Sequence, residues 1–303
     1  METGNGQESR EELISKLREM RNELRKDISE SMNALRDVEA EIERIFPPGI
    51  EDQPISENTQ MMKYAKTGTS KLDDLLNGGF SVPSNVLVNG PPFSSKDILI
   101  NSFIVKSIEE GLPVIVILID KDIYTIREEL SLLTENLEFY EKDGTIRYID
   151  TYSKAISAEV VENKAMQIDS IATNQSGFLK TIDQLNASLN KSHGKCITVV
   201  YSLTGWIQSL DEKLLTKTLQ HFSQKRKLDG GVAIYSLDSG LFSDQIYERM
   251  NYFMDSAIEF KLEESREFLR ARGFKNPRTK EWVDIIPKGR LIDLGSFNIR
   301  RVR

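Results

Sequence analysis

Residues 85–97 read Asn85-Val86-Leu87-Val88-Asn89-Gly90-Pro91-Pro92-Phe93-Ser94-Ser95-Lys96-Asp97. A short apolar run (Val86, Leu87, Val88) leads into Gly90. Ser95-Lys96-Asp97 then opens an amphipathic stretch carrying Ile98, Ile100, Phe103, Ile104 and Ile108. Strand, tight loop, lysine and helix, in that order, are the layout of a phosphate-binding loop, whose pattern is G-x-x-x-x-G-K-[ST]. Gly90 and Lys96 keep the spacing, whereas Ser95 stands at the second glycine and Asp97 at the magnesium-binding hydroxyl. The location is that of a phosphate site and the chemistry is not, so Gly90, Ser94, Ser95, Lys96 and Asp97 are candidates for nucleotide binding rather than assured ligands.

Outward from the loop, apolar runs alternate with helical periodicity. Pro113 to Ile119 is continuously apolar and ends at Asp120, as expected of a parallel strand covered on both faces. Strands are also expected at Thr145–Asp150, Lys195–Tyr201 and Val232–Leu237, with helices at about 97–110, 124–134 and 242–252 and a helix-rich segment over 204–228. Residues 155–192 are polar and weakly periodic, and predict a helix in two pieces around Asn174-Gln175-Ser176-Gly177. From Asp255 onward shorter alternating strands take over. This succession predicts an α/β domain over 63–303, with a mainly parallel sheet flanked by helices and an antiparallel edge.

Before that domain, residues 1–8 are small and polar and are expected to be disordered. Ser9 and Glu12 form a capping box. Leu13, Leu17, Met20, Leu24, Ile28, Met32, Leu35, Val38, Ile42 and Ile45 follow at spacings of three and four on a charged background. Their average is close to the ~3.5 of a coiled coil. Pro47-Pro48-Gly49 stops this helix, so 9–46 is expected to be a coiled coil and 47–62 a linker. A narrow apolar stripe needs a second helix, supplied by another copy, a partner protein or the chain's own domain.

The net charge of −7 sets the overall field against nucleic acid, which would need a local basic patch. Lys225-Arg226-Lys227 is better explained as positive charge at a helix C-terminus. Arg290, Arg300, Arg301 and Arg303 make the tail basic, a weak signal for nucleic acid or an acidic partner. The single cysteine, Cys196, excludes an internal disulfide and a cysteine-cluster metal site, and its apolar setting predicts a buried thiol. His193 and His221 lack metal-ligand spacing, so no metal site is assigned. No apolar run is long enough for a membrane span and no signal peptide is evident, which leads to the expectation of a soluble, cytoplasmic protein.

Thr67-Gly68-Thr69-Ser70-Lys71-Leu72-Asp73-Asp74-Leu75-Leu76-Asn77-Gly78-Gly79-Phe80 precedes the loop. Ser70 is expected to cap a short helix and Gly78-Gly79 to supply its left-handed stop. This stretch resembles the T-G-x-x-x-L-D-x-L-L-x-G-G-x segment that precedes the Walker A loop in the KaiC-like branch of the RecA superfamily of ATPases. The resemblance covers roughly 63–290 and implies a RecA-like fold. The family's G-P-P-G-T-G-K-T loop would correspond to Gly90–Asp97, with Phe93 and Ser95 at glycines that let the backbone surround phosphates. The family's acidic pair would fall on Asp120-Lys121, and the Walker B aspartate on Tyr201. A late Lys-x-Arg-Gly element, which contacts the neighbouring subunit's nucleotide in the family, resembles Arg270-Ala271-Arg272-Gly273.

With the loop, the general-base position and the metal-directing acid all altered, the resemblance implies a non-catalytic pseudo-ATPase. It would assemble with itself or a partner and act as an assembly or regulatory protein. Two alternatives stand beside it. One is a divergent ATPase that binds ATP with Mg²⁺ held by Asp97 and Asp120. The other is a DNA-associated recombinase-like protein.

Overall fold

The computed structural model describes residues 63–155 and 165–297. The coiled coil expected over 9–46, the segments 1–8 and 47–62, and the terminal arginines Arg300, Arg301 and Arg303 lie outside the described residues. In the domain, β1 (Tyr64–Ala65) and β2 (Phe80–Ser81) flank α1 (Ser70–Leu75). β3 (Ser84–Gly90) leads into α2 (Lys96–Glu109), β4 (Val114–Leu118), α3 (Ile123–Ser131), α4 (Leu137–Asp143), β5 (Ile146–Asp150) and a short α5 (Tyr152–Ala155). Next come β6 (Ala165–Gln167), α6 (Ile171–His193), β7 (Ile197–Tyr201), α7 (Leu203–Ser209), α8 (Glu212–Leu228), β8 (Val232–Asp238) and α9 (Asp244–Tyr252). The last four are β9 (Ser256–Glu263), β10 (Arg266–Arg272), β11 (Val283–Lys288) and β12 (Leu291–Leu294).

Ten strands form one sheet in the order β12-β11-β10-β9-β3-β8-β7-β4-β5-β6. Every pairing from β9 to β6 is parallel, and β9 to β12 are antiparallel. This is the mainly parallel sheet with an antiparallel edge that the alternation of runs predicts. The apolar strands account for it: all five residues of β4 are fully buried, so that strand needs cover on both faces. On one face Val86 and Val88 join a cluster with Leu72, Leu99, Phe103 and Ile126 from α1, α2 and α3. Strand alternation sends Leu87 to the other face. There Phe178 of α6, Trp206 of α7, Phe222 of α8 and Tyr235 of β8 pack ring against ring.

The antiparallel edge closes the domain. β9 pairs with β3 on one side and with β10 on the other, so the strand that carries the phosphate loop has a neighbour along both edges. Cys196, at the head of β7, is buried, and burial pushes its thiol up to about 12.

Some local details differ from expectation. Ser70 is the first helical residue of α1, and Thr69 is its N-cap, with no side-chain hydrogen bond. Asp73, in the first turn, accepts instead from the backbone N–H of Thr67 at 2.8 Å. The left-handed residue after α1 is Asn77 (φ 57), while Gly78 and Gly79 sit at φ 141 and 123, a region that only glycine adopts at ease. β1, β2, α4 and α5 have no counterpart in the sequence expectation, because they are too short for periodicity to register, and β6 corrects it: a strand lies inside 155–192, which reads as helical, and the helix begins only at Ile171. The break expected in the long polar helix is present: Asn174 leaves helical geometry, and its side chain accepts from the N–H of Gly177 at 3.0 Å.

Gly79 tests this backbone requirement. A Cβ there would lie 2.3 Å from the carbonyl oxygen of Ala65. Gly79→Ala is expected to lower stability by about 2 kcal/mol, from positive φ and the backbone clash together, in urea unfolding of the full chain. An alanine at 79 that left the midpoint unchanged would contradict the described turn.

Candidate functional site

The carboxyl ends of β3, β8, β7 and β4 lie side by side, which in parallel α/β sheets is where ligands bind. β3 delivers the loop 90–97 to this edge. Gly90 is needed for close approach: a Cβ on it would lie 2.6 Å from Cβ of Phe260 on β9. Phe93 holds φ 65 and is fully exposed, so the loop keeps a left-handed turn with a bulky side chain projecting into solvent. Ser95 is the N-cap of α2, and Lys96 begins the helix.

Lys96 points into the domain, with a side chain only 5% exposed. Its Nζ lies 2.8 Å from Oδ1 of Asp238 and 3.8 Å from Oδ1 of Asp97. Asp238 ends β8 in register with Gly90, and its Oδ2 accepts from the hydroxyl of Thr204 at 3.1 Å. Lys121 reaches the same place from the β4–α3 loop. Its Nζ donates to Oδ2 of Asp97 at 2.6 Å and lies 4.8 Å from the centroid of the Tyr201 ring. Two ammonium groups therefore face three carboxylates here, those of Asp97, Asp120 and Asp238.

Tyr201, at the end of β7, is fully buried. Its hydroxyl donates to Oδ1 of Asn101 at 2.7 Å, and Asn101 donates in turn to Glu129 at 2.6 Å. Burial pushes the phenol well above its ordinary value, with the carboxylates of Asp97 and Glu129 adding to the effect. It is a neutral hydrogen-bond donor at physiological pH. Asp120 accepts from the hydroxyl of Ser202 at 2.6 Å, and its Oδ1 is buried without a hydrogen-bond partner. Burial raises the Asp120 carboxyl above the usual range. Ser202 and Lys121 pull it back down, and Asp238 pushes it further up.

The loop also meets a residue that sequence reasoning missed. Glu267 of β10 accepts from the backbone N–H of Ser95 through Oε1 and from the Ser95 hydroxyl through Oε2, each at 2.5 Å. No periodicity or motif marks it. Asp238 was also missed, although it ends its apolar strand as Asp120 follows β4, and that pattern was a usable signal. Arg270 and Arg272 both bind Glu259 of β9, with Arg270 Nε at 2.8 Å and Arg272 Nη1 at 2.9 Å. The Arg270 guanidinium also lies 4.4 Å from the centroid of Trp282. The basic run on α8 is likewise paired: Lys225 with Asp229, Arg226 with Asp183 and Asp229, and Lys227 with Asp255.

Of the two carboxylates that the divergent reading assigns to magnesium, Asp97 gives its Oδ2 to Lys121, and the Oδ1 of each is buried without a hydrogen-bond partner. Tyr201 offers a neutral phenol, and among the described residues no group of three histidine, cysteine or acidic side chains is placed to hold a metal ion.

The sequence profile described as "ATPase: KaiC" matches residues 65–279. Among curated relatives, an UPF0273 protein of Thermotoga maritima is 26% identical over 104 residues, covering 34% of this chain and 43% of the relative. One from Saccharolobus solfataricus is 26% identical over 129 residues, covering 42% of this chain and 46% of the relative. The chain thus spans about half or less of the length of the curated relatives it matches. Two solved structures from Pyrococcus horikoshii share the fold. A KaiC-like protein superposes with a TM-score of 0.61 at 20% identity, covering 77% of this chain and 99% of that one. An uncharacterised protein solved with an unknown peptide gives 0.62 at 12% identity, covering 76% and 98%.

Two outcomes follow from this geometry. Tyr201→Phe strands the buried Oδ1 of Asn101, and is expected to cost about 1–3 kcal/mol in chemical denaturation. A raised folded-state pKa at Asp120 means that its protonated form adds stability below the unfolded value of about 3.9, and that this is lost as pH rises through the folded value. The stability of Asp120→Asn relative to wild type is therefore expected to improve from pH 4 to pH 7. A flat difference across that range would show that Asp120 is not desolvated.

Proposed function

Because the chain belongs to the KaiC family of ATPases, we propose that it is a member that does not hydrolyse ATP. It serves as an assembly or regulatory protein in the cytoplasm through its RecA-like domain and the 9–46 segment. One observation carries the proposal. The ion pair between Lys121 and Asp97, against the Tyr201 ring, lies where the resemblance places the general base, the magnesium-binding hydroxyl and the metal-directing acid. Phosphoryl transfer depends on charge stabilisation by a metal and on an oriented nucleophile. An ammonium–carboxylate pair and a neutral phenol supply neither. The two substitutions also compensate each other, since the negative charge introduced at 97 is met by the positive charge introduced at 121.

A divergent ATPase is the second reading, and it has its own support. Lys96 keeps its place in the loop, and Asp120 holds a buried, unpartnered oxygen close to Lys121. The recombinase-like reading has less behind it, because the basic residues of α8 are already paired with carboxylates.

Phosphate release from ATP and Mg²⁺ separates the first two readings. The full chain is expected to show no turnover above that of Lys96→Ala. Measurable wild-type turnover that the substitution abolishes would overturn the proposal and establish the divergent ATPase. Sedimentation of the full chain is expected to show an oligomer whose order falls when 9–46 is deleted, and a monomeric full chain would remove the assembly role.

A further inference from the structure

We infer that Glu267 is a built-in anion that occupies the phosphate site of the loop, and that it decides whether a polyphosphate can enter. The inference rests on residues 90–97 being a phosphate loop, and is independent of whether the site hydrolyses anything.

The N-terminus of a helix attracts an anion, because its first N–H groups point outward at the positive end of the dipole. α2 is 14 residues long and starts immediately after Ser95. The group that meets this N-terminus is a carboxylate of the same chain. Its two oxygens divide between the Ser95 N–H and the Ser95 hydroxyl, each at 2.5 Å, which is how two oxygens of a phosphate would divide. These are charge-assisted hydrogen bonds of the stronger kind. A second observation marks the loop as a site with spare capacity. Ser94, only 8% exposed, holds its Oγ buried with no hydrogen-bond partner, and that oxygen lies 2.7 Å from where a Cβ on Gly90 would stand.

The lysine of the loop is held in the same manner. Lys96 is turned onto Asp238 at 2.8 Å. Thus two groups that could hold a phosphate, the Ser95 N–H and the Lys96 ammonium, are each satisfied by a carboxylate from a different strand, β10 and β8. Asp238 is half-buried, with the hydroxyl of Thr204 as a second partner. Glu267 is the more readily removed of the two, because it sits on an antiparallel strand at the rim of the parallel sheet and both of its hydrogen bonds go to Ser95 alone. A polyphosphate must displace it, so the apparent affinity falls by the fraction of molecules in which Glu267 has left the loop.

The test is calorimetric titration of the full chain with sodium pyrophosphate in magnesium-free buffer, repeated with ATP. Four proteins are compared: wild type, Glu267→Ala, Glu267→Gln, and Glu267→Ala combined with Lys96→Ala. Glu267→Ala is expected to bind pyrophosphate at least about tenfold more tightly than wild type. Glu267→Gln, which keeps the shape and loses the charge, is expected to gain in the same direction by less. The added Lys96→Ala should erase the gain. Thermal unfolding of each ligand-free variant identifies any that is misfolded, and the glutamine variant stands if the alanine variant is. Folded Glu267 variants that bind no better than wild type would overturn the inference, as would a gain that survives loss of Lys96. Wild-type ATP turnover would remove the non-hydrolysing reading without touching this result, and an absent gain would remove the gate without touching that reading.

Discussion

The loop's place in the domain depends on one constraint: β3 is hydrogen-bonded along both edges and covered on both faces. β8 and β9 hold its edges in parallel register, and the aliphatic cluster and the aromatic cluster hold its faces. A strand so enclosed cannot slip, because a shift of one residue would turn Val86 and Val88 toward the aromatic face and Leu87 away from it. That register brings Gly90 level with Asp238 and against Phe260. The loop then leaves the sheet at a single point, and Lys96 lands within reach of Asp238. The polar chemistry of the site is thus a consequence of apolar pairing several residues earlier.

Electrostatics then determine what the site is suited to do. Charged groups withdrawn from water must find partners or lose their charge. Here Lys96 meets Asp238 and Lys121 meets Asp97, Glu267 takes the N–H and hydroxyl of Ser95, and Glu259 takes both arginines of β10, of which Arg272 is exposed. Satisfaction is local and internal, and it leaves an excess of carboxylates. A site of that composition is stable without a ligand. The family's fold is kept, while the lysine and the Ser95 N–H of the loop are met by carboxylates of the same chain.

Much of this was legible in the sequence, and the limit of legibility has a physical form. Parallel strands announce themselves as apolar runs, so the sheet, its antiparallel edge and the phosphate loop could all be inferred from local pattern. Lys96, Asp97, Asp120, Lys121 and Tyr201 could be singled out because each stands at a fixed offset from such a run. Glu267 could not. It lies 172 residues from Ser95, and only the pairing of β10 with β9, and of β9 with β3, brings the two together. Arg270 and Arg272 show the converse, since their motif was visible while their shared partner Glu259, on the neighbouring strand, was not. The start of α1 was misplaced by one residue, and its left-handed turn by one. Serine and threonine can exchange the cap role, and asparagine can take the left-handed role from glycine, without changing the pattern.

Cys196 gives the domain a property unrelated to nucleotides. It is the one sulfhydryl in the chain, it lies beneath α6 and α8 at the start of an interior strand, and its ionisation is displaced to about 12. A thiol in that condition reacts with an alkylating reagent only when the strand is exposed and the sulfur regains solvent. Its labelling rate therefore reports opening of the centre of the sheet and is silent about fraying at the edges. The chain carries its own single-site clock for rupture of the core, with no engineered probe required.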